Sequence, residues 1–362
     1  MRAVASLVRT FRQRRPLRGG SLLVTLVGDA VAPHGGDIAL GSLIALAEPF
    51  GLSERLVRTA VSRLAHDGWF HTRRIGRVSF YRLTSDGTAR FSEAARRIYQ
   101  PPPELPDRTW TIVLIPGGLT ARDAIARELL WLGFGRMTPE VFVHPTCAPA
   151  HVTAQLRPLG AADEVLVMQA AMQSRTDEQR LVQASWNLAD LSTRYERLIR
   201  AFSPILVALR KGRTLSPADS FLVRTLLVHE YRRIVLRDPR LPTTLLPVDW
   251  AGGRAYAMCQ ALYGWVFTAS ETHLQQVAAG TAEHWSPLDA SVAERFGGVL
   301  DQPLLERGLV TPEARSSSPR RQRVSSQTRP AAPSVPDTPD TKPLGSGIAR
   351  TRPAARSTTR PR

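Results

Sequence analysis

The 362-residue sequence predicts an α+β protein of several domains: a winged helix-turn-helix, then a small α/β unit, then a mostly helical third unit, with a disordered basic tail. Three observations predict it. A helix-turn-helix spacing followed by a basic hairpin fills residues 41–83. A proline run at residues 100–106 precedes an alternation of short strands and helices. Beyond residue 176 the apolar residues recur at helical spacing. The length agrees, because a single domain usually holds ~100–200 residues.

The chain begins with Arg2, Arg9, Arg12, Arg14, Arg15 and Arg18 and no acid. No small-residue cleavage pattern follows, so residues 1–17 are expected to be a basic arm rather than a signal. Residues 18–99 form the expected DNA-binding domain. Within it, residues 41–49 read as a short amphipathic helix, and Phe50, Gly51 and Leu52 as a three-residue turn. Ser53 is a good N-cap, Glu54 suits the positive end of the helix dipole, and Gly68 stops a second helix of about fourteen residues. At 100° per residue, Leu56, Val57, Ala60, Val61 and Leu64 share one face. Arg55, Arg58, Thr59, Ser62 and His66 share the opposite one, with Arg63 at its edge. Guanidinium groups and small hydroxyls on one helix are the set that reads guanine edges and thymine methyls in a major groove. Residues 69–72 and 79–83 read as strands flanking a turn that carries Arg73, Arg74 and Arg77, a basic wing.

Residues 100–107, rich in proline, make a semi-rigid linker that neither a helix nor a central strand tolerates. Residues 108–173 follow with strands near 110–115, 141–144 and 164–169 and a helix near 121–132. Residues 174–312 carry helical patterns at 176–209, 217–237 and 255–277. From residue 313 the composition turns to Ser, Pro, Thr, Ala and Arg. From Arg315 onward eleven Lys and Arg stand against two Asp, and there is too little apolar surface to offset chain entropy.

Composition narrows function further. Lys and Arg total 48 against 31 Asp and Glu, a net charge of +17, which favours polyanionic partners. Cys147 and Cys259 are too few for a disulfide framework or a four-cysteine zinc site, so a reducing, cytoplasmic setting is expected. No run of apolar residues is long enough to span a bilayer.

The N-terminal run from Ser21 to Ala30, the His34-Gly35-Gly36 and Leu40-Gly41-Ser42-Leu43-Ile44 stretches, and the Glu54–Val61 helix carry a resemblance. So do Asp67-Gly68-Trp69, Tyr81-Arg82-Leu83-Thr84, Trp110 before its apolar strand, His229-Glu230-Tyr231-Arg232-Arg233, residues 237–242 and residues 245–250. Together they make the chain, over roughly residues 18–310, similar to the PaaX-like repressors of phenylacetate catabolism. The resemblance implies a homodimeric regulator of a double-stranded DNA operator. It also implies a ferredoxin-like central domain of Cas2 type, a helical effector and dimerisation domain, and release from DNA by an acyl-coenzyme A such as phenylacetyl-coenzyme A. Such an effector needs arginines beside aromatic surface. The candidates are Arg224, His229, Arg232 and Arg233 with Trp250 and Tyr256.

Catalytic readings weaken on inspection. His229-Glu230 begins like the zinc-protease helix, but position 233 is arginine, so the second ligand is missing. Pro116-Gly117-Gly118 lacks the rest of a phosphate loop and reads as a turn. The Cas2 likeness raises a metal-dependent nuclease, yet the first central strand carries no carboxylate at its end. The sequence therefore predicts neither an enzyme nor a bound cofactor or metal. A constitutive architectural DNA binder stays open beside the ligand-responsive regulator; the first needs only phosphate contacts, the second a base-reading face.

Overall fold

The computed structural model describes residues 1–14, 19–101, 109–278 and 285–298. The expected tail and most of the proline linker lie outside the described residues. The chain is mixed α and β. The N-terminal segment, read as a basic arm, is helix α1 (Arg2–Arg12), whose Val4, Val8 and Phe11 are buried while Arg2, Arg9 and Arg12 stay outside. Helix α2 (Gly19–Leu26) widens into a π turn at Val27–Val31. Strand β1 (Asp37–Ala39), helix α3 (Leu40–Ala47) and helix α4 (Glu54–His66) follow, with Gly51 at φ +81° making the turn between the two helices. Strands β2 (Phe70–Ile75) and β3 (Val78–Leu83) form a hairpin closed at Gly76, φ +57°. β3 also pairs with β1, giving the order β1-β3-β2. Helix α5 (Ser85–Tyr99), capped by Thr84, was not anticipated by the sequence reading.

The central unit runs β4 (Thr109–Leu114), α6 (Arg122–Trp131), β5 (Gly135–Arg136), β6 (Val141–His144), α7 (Pro149–Leu156) and β7 (Leu166–Ala171). Its antiparallel sheet has the order β5-β6-β4-β7, the split β-α-β arrangement. Alternation along β4 sends Val113 toward α6 and α7, where Ile125, Leu129, Phe142, Val152 and Leu156 close a core. Trp110 points to the other face, against Leu181, Val182, Leu241 and Leu245.

The helical stretch anticipated over 176–209 is two helices, α8 (Arg175–Ser185) and α9 (Leu188–Arg210). The break falls at Asn187, whose side chain accepts from the Asp190 amide at 3.0 Å and starts the second helix. Helices α10 (Pro217–Val235) and α11 (Ala251–Ala278) complete the fold. α10 is apolar on most sides and is correspondingly enclosed. One hydrophobic core runs without interruption from Leu22, Leu43 and Val57 of the first unit to Phe202, Phe221 and Leu262 of the third. The central unit keeps its own core. No helix among the described residues is long and apolar enough to cross a membrane.

Candidate nucleic-acid interface and the cavity behind it

Helix α4 starts where the Ser53 hydroxyl accepts from the Leu56 amide at 3.4 Å. Val57 and Val61 are buried completely; Arg55, Arg58, Thr59, Ser62, Arg63 and His66 are all exposed. Periodicity alone therefore placed this face on the surface. Two of its side chains are held: Arg58 pairs with Glu54 at 2.6 Å, and the Thr59 hydroxyl donates to the Arg55 carbonyl at 2.9 Å. An exposed i,i+4 pair is weak, ~0.3–0.5 kcal/mol, so a phosphate or base edge can compete for Arg58.

On the hairpin, Arg73, Arg74 and Arg77 are exposed as well. Arg73 reaches Asp37 at 3.3 Å and lies over the Phe80 ring at 5.6 Å; Arg74 donates to the Gly76 carbonyl at 3.2 Å. Arg82, which was not among the sequence candidates, shares Asp37 at 3.8 Å. The β1–β3 register that puts Asp37 opposite Arg82 is the signal that names it. Ile75 and Val78 stand exposed at the hairpin tip.

Behind α4 lies a cavity of about 910 Å³. Its walls are Leu56, Ala60 and Leu64 on the inner side of α4, Trp69, Phe91 of α5, and Trp131 of the central unit. Thr59 and Arg63, counted with the outward face, also border it. Gly28 leaves the room: a methyl there would sit 2.6 Å from the Phe91 ring. Three arginines (Arg63, Arg90, Arg232) face three carboxylates (Asp29, Glu93, Glu128) around it. Burial and then the Glu93 charge push the Glu128 carboxyl up. Burial brings the Arg232 guanidinium down to about 10, and that group donates to Thr25 Oγ1 and the Ser21 carbonyl, both at 2.7 Å.

The six effector candidates are not brought together. Only Arg232 borders the cavity. His229 is buried against Thr25 at 2.9 Å; burial and the neighbouring Arg232 push it down to about 3, so it is a neutral ring. Arg233 lies near Glu230 at 3.7 Å. Trp250 packs edge-on against Tyr195, and the Tyr256 hydroxyl donates to the Tyr99 carbonyl at 3.3 Å. Arg224 is 1% exposed, donating to Asp29 Oδ2 at 2.7 Å and pairing with Glu271. Its plane rests over Phe267 at 4.5 Å. Sequence reasoning named Arg224 as an effector candidate and missed the buried ion-pair network to which it belongs. Asp29 Oδ1 accepts from Tyr99 at 2.7 Å, Tyr263 at 2.9 Å and Arg295 at 2.9 Å, while Glu271 also meets His34 Nε2 at 2.9 Å. Burial alone would raise the Asp29 carboxyl, but Arg224 and Arg295 outweigh it and hold it below its ordinary range. The network ties the first unit to the third.

Burial pushes the Cys147 thiol up to about 11 and raises the Cys259 thiol well above its ordinary range, so both stay protonated. Among the described residues no group of three or more His, Cys, Asp and Glu is placed to hold a metal ion.

Three matches to family descriptions cover the chain in succession: PaaX-like protein over residues 18–87, the PaaX protein central Cas2-like domain over 104–182, and the PaaX-like protein C-terminal domain over 186–276. The architecture is that of a regulatory protein rather than an enzyme. The chain belongs to the PaaX family: it is 35% identical to the transcriptional repressor PaaX of Escherichia coli (strain K12) over 290 residues, 78% of this chain and 92% of that one. Among solved structures, the uncharacterized protein Rv0674 from Mycobacterium tuberculosis matches with 22% identity and a TM-score of 0.42, covering 70% of this chain and 96% of that one.

Proposed function

We propose that this chain is a ligand-released transcriptional repressor: residues 18–99 act as a winged helix-turn-helix, with α4 in the major groove and the hairpin on the phosphate backbone. Arg55, Arg58, Thr59, Ser62, Arg63 and His66 are the base-reading set, and Arg73, Arg74 and Arg77 the backbone set. The observation that carries the reading is that the inner side of α4 is itself a wall of the 910 Å³ cavity. An occupant there presses on the helix that would read DNA, so it can bind the DNA-free arrangement more tightly, which is what release requires.

An acyl-coenzyme A suits the cavity chemically. Trp69, Phe91 and Trp131 offer aromatic surface to an aromatic acyl group, and Arg63, Arg90 and Arg232 offer guanidinium groups to its phosphates. Reading two half-sites takes two copies of α4. Strand β7 supplies a surface for pairing: it is the sheet edge, and Leu166 and Met168 on it are 58% and 43% exposed.

The test is operator binding by fluorescence anisotropy with phenylacetyl-coenzyme A, with free phenylacetate as the control. Release by the thioester alone, weakened in Trp131→Ala, supports the reading. No release by either, with operator binding intact, rejects this inducer and leaves the DNA-binding assignment in place.

A further inference from the structure

A second cavity, of about 740 Å³, lies between α1, α9 and α10, and differs in charge from the first. Helical spacing aims three stripes at it: Leu7 and Arg14 from α1 and its end; Asp190, Arg194 and Arg197 from α9; and Glu230 and Arg233 from α10 with Arg237 just past its end. With Arg200, six arginines meet two carboxylates, whereas the cavity behind α4 balances three against three. Arg194 is engaged by Asp190 at 2.7 Å, and Arg14 and Arg233 share Glu230 at 2.5 and 3.7 Å. Both carboxylates are thereby used up. The side chains of Arg197, Arg200 and Arg237 make no hydrogen bond or ion pair among the described residues. Phe11, Leu198 and Ile234 give the cavity a buried apolar floor.

Like charges crowded around a concavity repel one another, and a multiply charged anion relieves that repulsion while the fork of each guanidinium matches phosphate oxygens. The apolar floor accepts a ring or a short apolar body. We propose that this cavity is a second ligand site, taking a small molecule with at least two phosphate groups on a heterocyclic or apolar body, the chemistry shared by nucleoside diphosphates and the nucleotide end of coenzyme A.

The experiment is isothermal titration of the full chain with ADP, inorganic pyrophosphate and free coenzyme A at matched ionic strength, repeated on the double variant Arg197→Gln with Arg237→Gln and on Arg58→Ala with Arg77→Ala. ADP or coenzyme A is expected to bind the first variant at least tenfold more weakly and the second unchanged, and the stronger of the two identifies the source. The substituted arginines are exposed, so the melting temperature without ligand stays put while its rise with ligand is lost. Equal affinity in all three proteins means binding elsewhere, in the cavity behind α4 or on a diffuse basic surface, and overturns the site. Absence of binding by every probe overturns it as well. If the Arg197→Gln with Arg237→Gln variant keeps its ADP and coenzyme A affinity but loses operator affinity, the patch is a nucleic-acid surface instead, which also rejects the proposal without touching the cavity behind α4.

Discussion

Arg58 and Arg224 carry the same guanidinium into opposite surroundings. Arg58 on α4 has a side chain 56% exposed, with one weak partner a turn away. Arg224 on α10 is 1% exposed, ringed by Asp29, Glu271 and two aromatic faces. Water screens the first and leaves it free to exchange partners; the second has lost its hydration and is held by carboxylates that have lost theirs. The region around Arg58 is thus built to be completed by another molecule, and the region around Arg224 is already complete. A charge at the surface is available for recognition, and a charge in the core is committed to holding units together.

Removing one buried partner should have the largest effect. Arg224→Ala leaves Asp29 with Arg295 alone and Glu271 with His34 alone, and breaking a buried pair typically costs ~3–5 kcal/mol. Urea denaturation should show a loss of that order, and Arg224→Ala combined with Asp29→Asn should recover part of it. An unchanged midpoint for Arg224→Ala would erase the contrast. Acid comes next. His229 and His144 are both held neutral by burial down to about 3, against an ordinary 6.5. The unfolded chain therefore takes up the extra protons between those values, and stability is complete above pH 6.5 and declines as pH falls toward 3, by up to about 1.4 kcal/mol per pH unit for each ring. Melting temperatures from pH 7.5 to 4.5 check this, and His229→Gln should flatten the slope.

On the exposed side the effects move from stability to recognition. Arg58→Ala should lower operator preference over random duplex by ~1–3 kcal/mol with the melting temperature unchanged. Equal weakening on both duplexes would mean that α4 does not read bases. The smallest change is expected at the hairpin. Arg74→Ala or Arg77→Ala should weaken both duplexes alike and reduce the salt slope by about one. A sequence-dependent loss there would move base reading onto the hairpin.

The same contrast explains what could be read from the sequence. Helix α4 and its outward face were legible because the information is local: a cap at Ser53, a stop at Gly68 and a period that sorts Val57 from Arg58. Strands β4 and β6 were legible for the same reason, as short β-branched runs. Helix α5 was not, because Gly87 and a scatter of arginines blur its period, and the two-residue β5 leaves no pattern at all. Arg224 was read as an effector candidate, and its buried ion pairs were not legible because the partners lie far along the chain, Asp29 by 195 positions and Glu271 by 47. Nothing near Arg224 distinguishes it from a surface arginine. Arg63 sits between these cases, exposed by its period yet also bordering the cavity that α5 and the central unit enclose.

The uninterrupted core from Leu22 to Leu262 bears on how this protein can be recombined. A DNA-reading module that folds by itself can be exchanged between regulators as a cassette, since its surface against the rest of the chain is polar and dispensable. Here the module shares its interior with its neighbour: Leu26, Val31 and Leu43 lie in one buried cluster with residues of α10 and α11, and the Asp29 carboxylate is paired with Arg224 and Arg295. Grafting residues 18–99 onto another effector unit would expose an apolar face and a bare carboxylate together. On the proposed reading, changes of operator specificity in this chain therefore come by substitution on the outer face of α4, one side chain at a time, with the scaffold inherited whole.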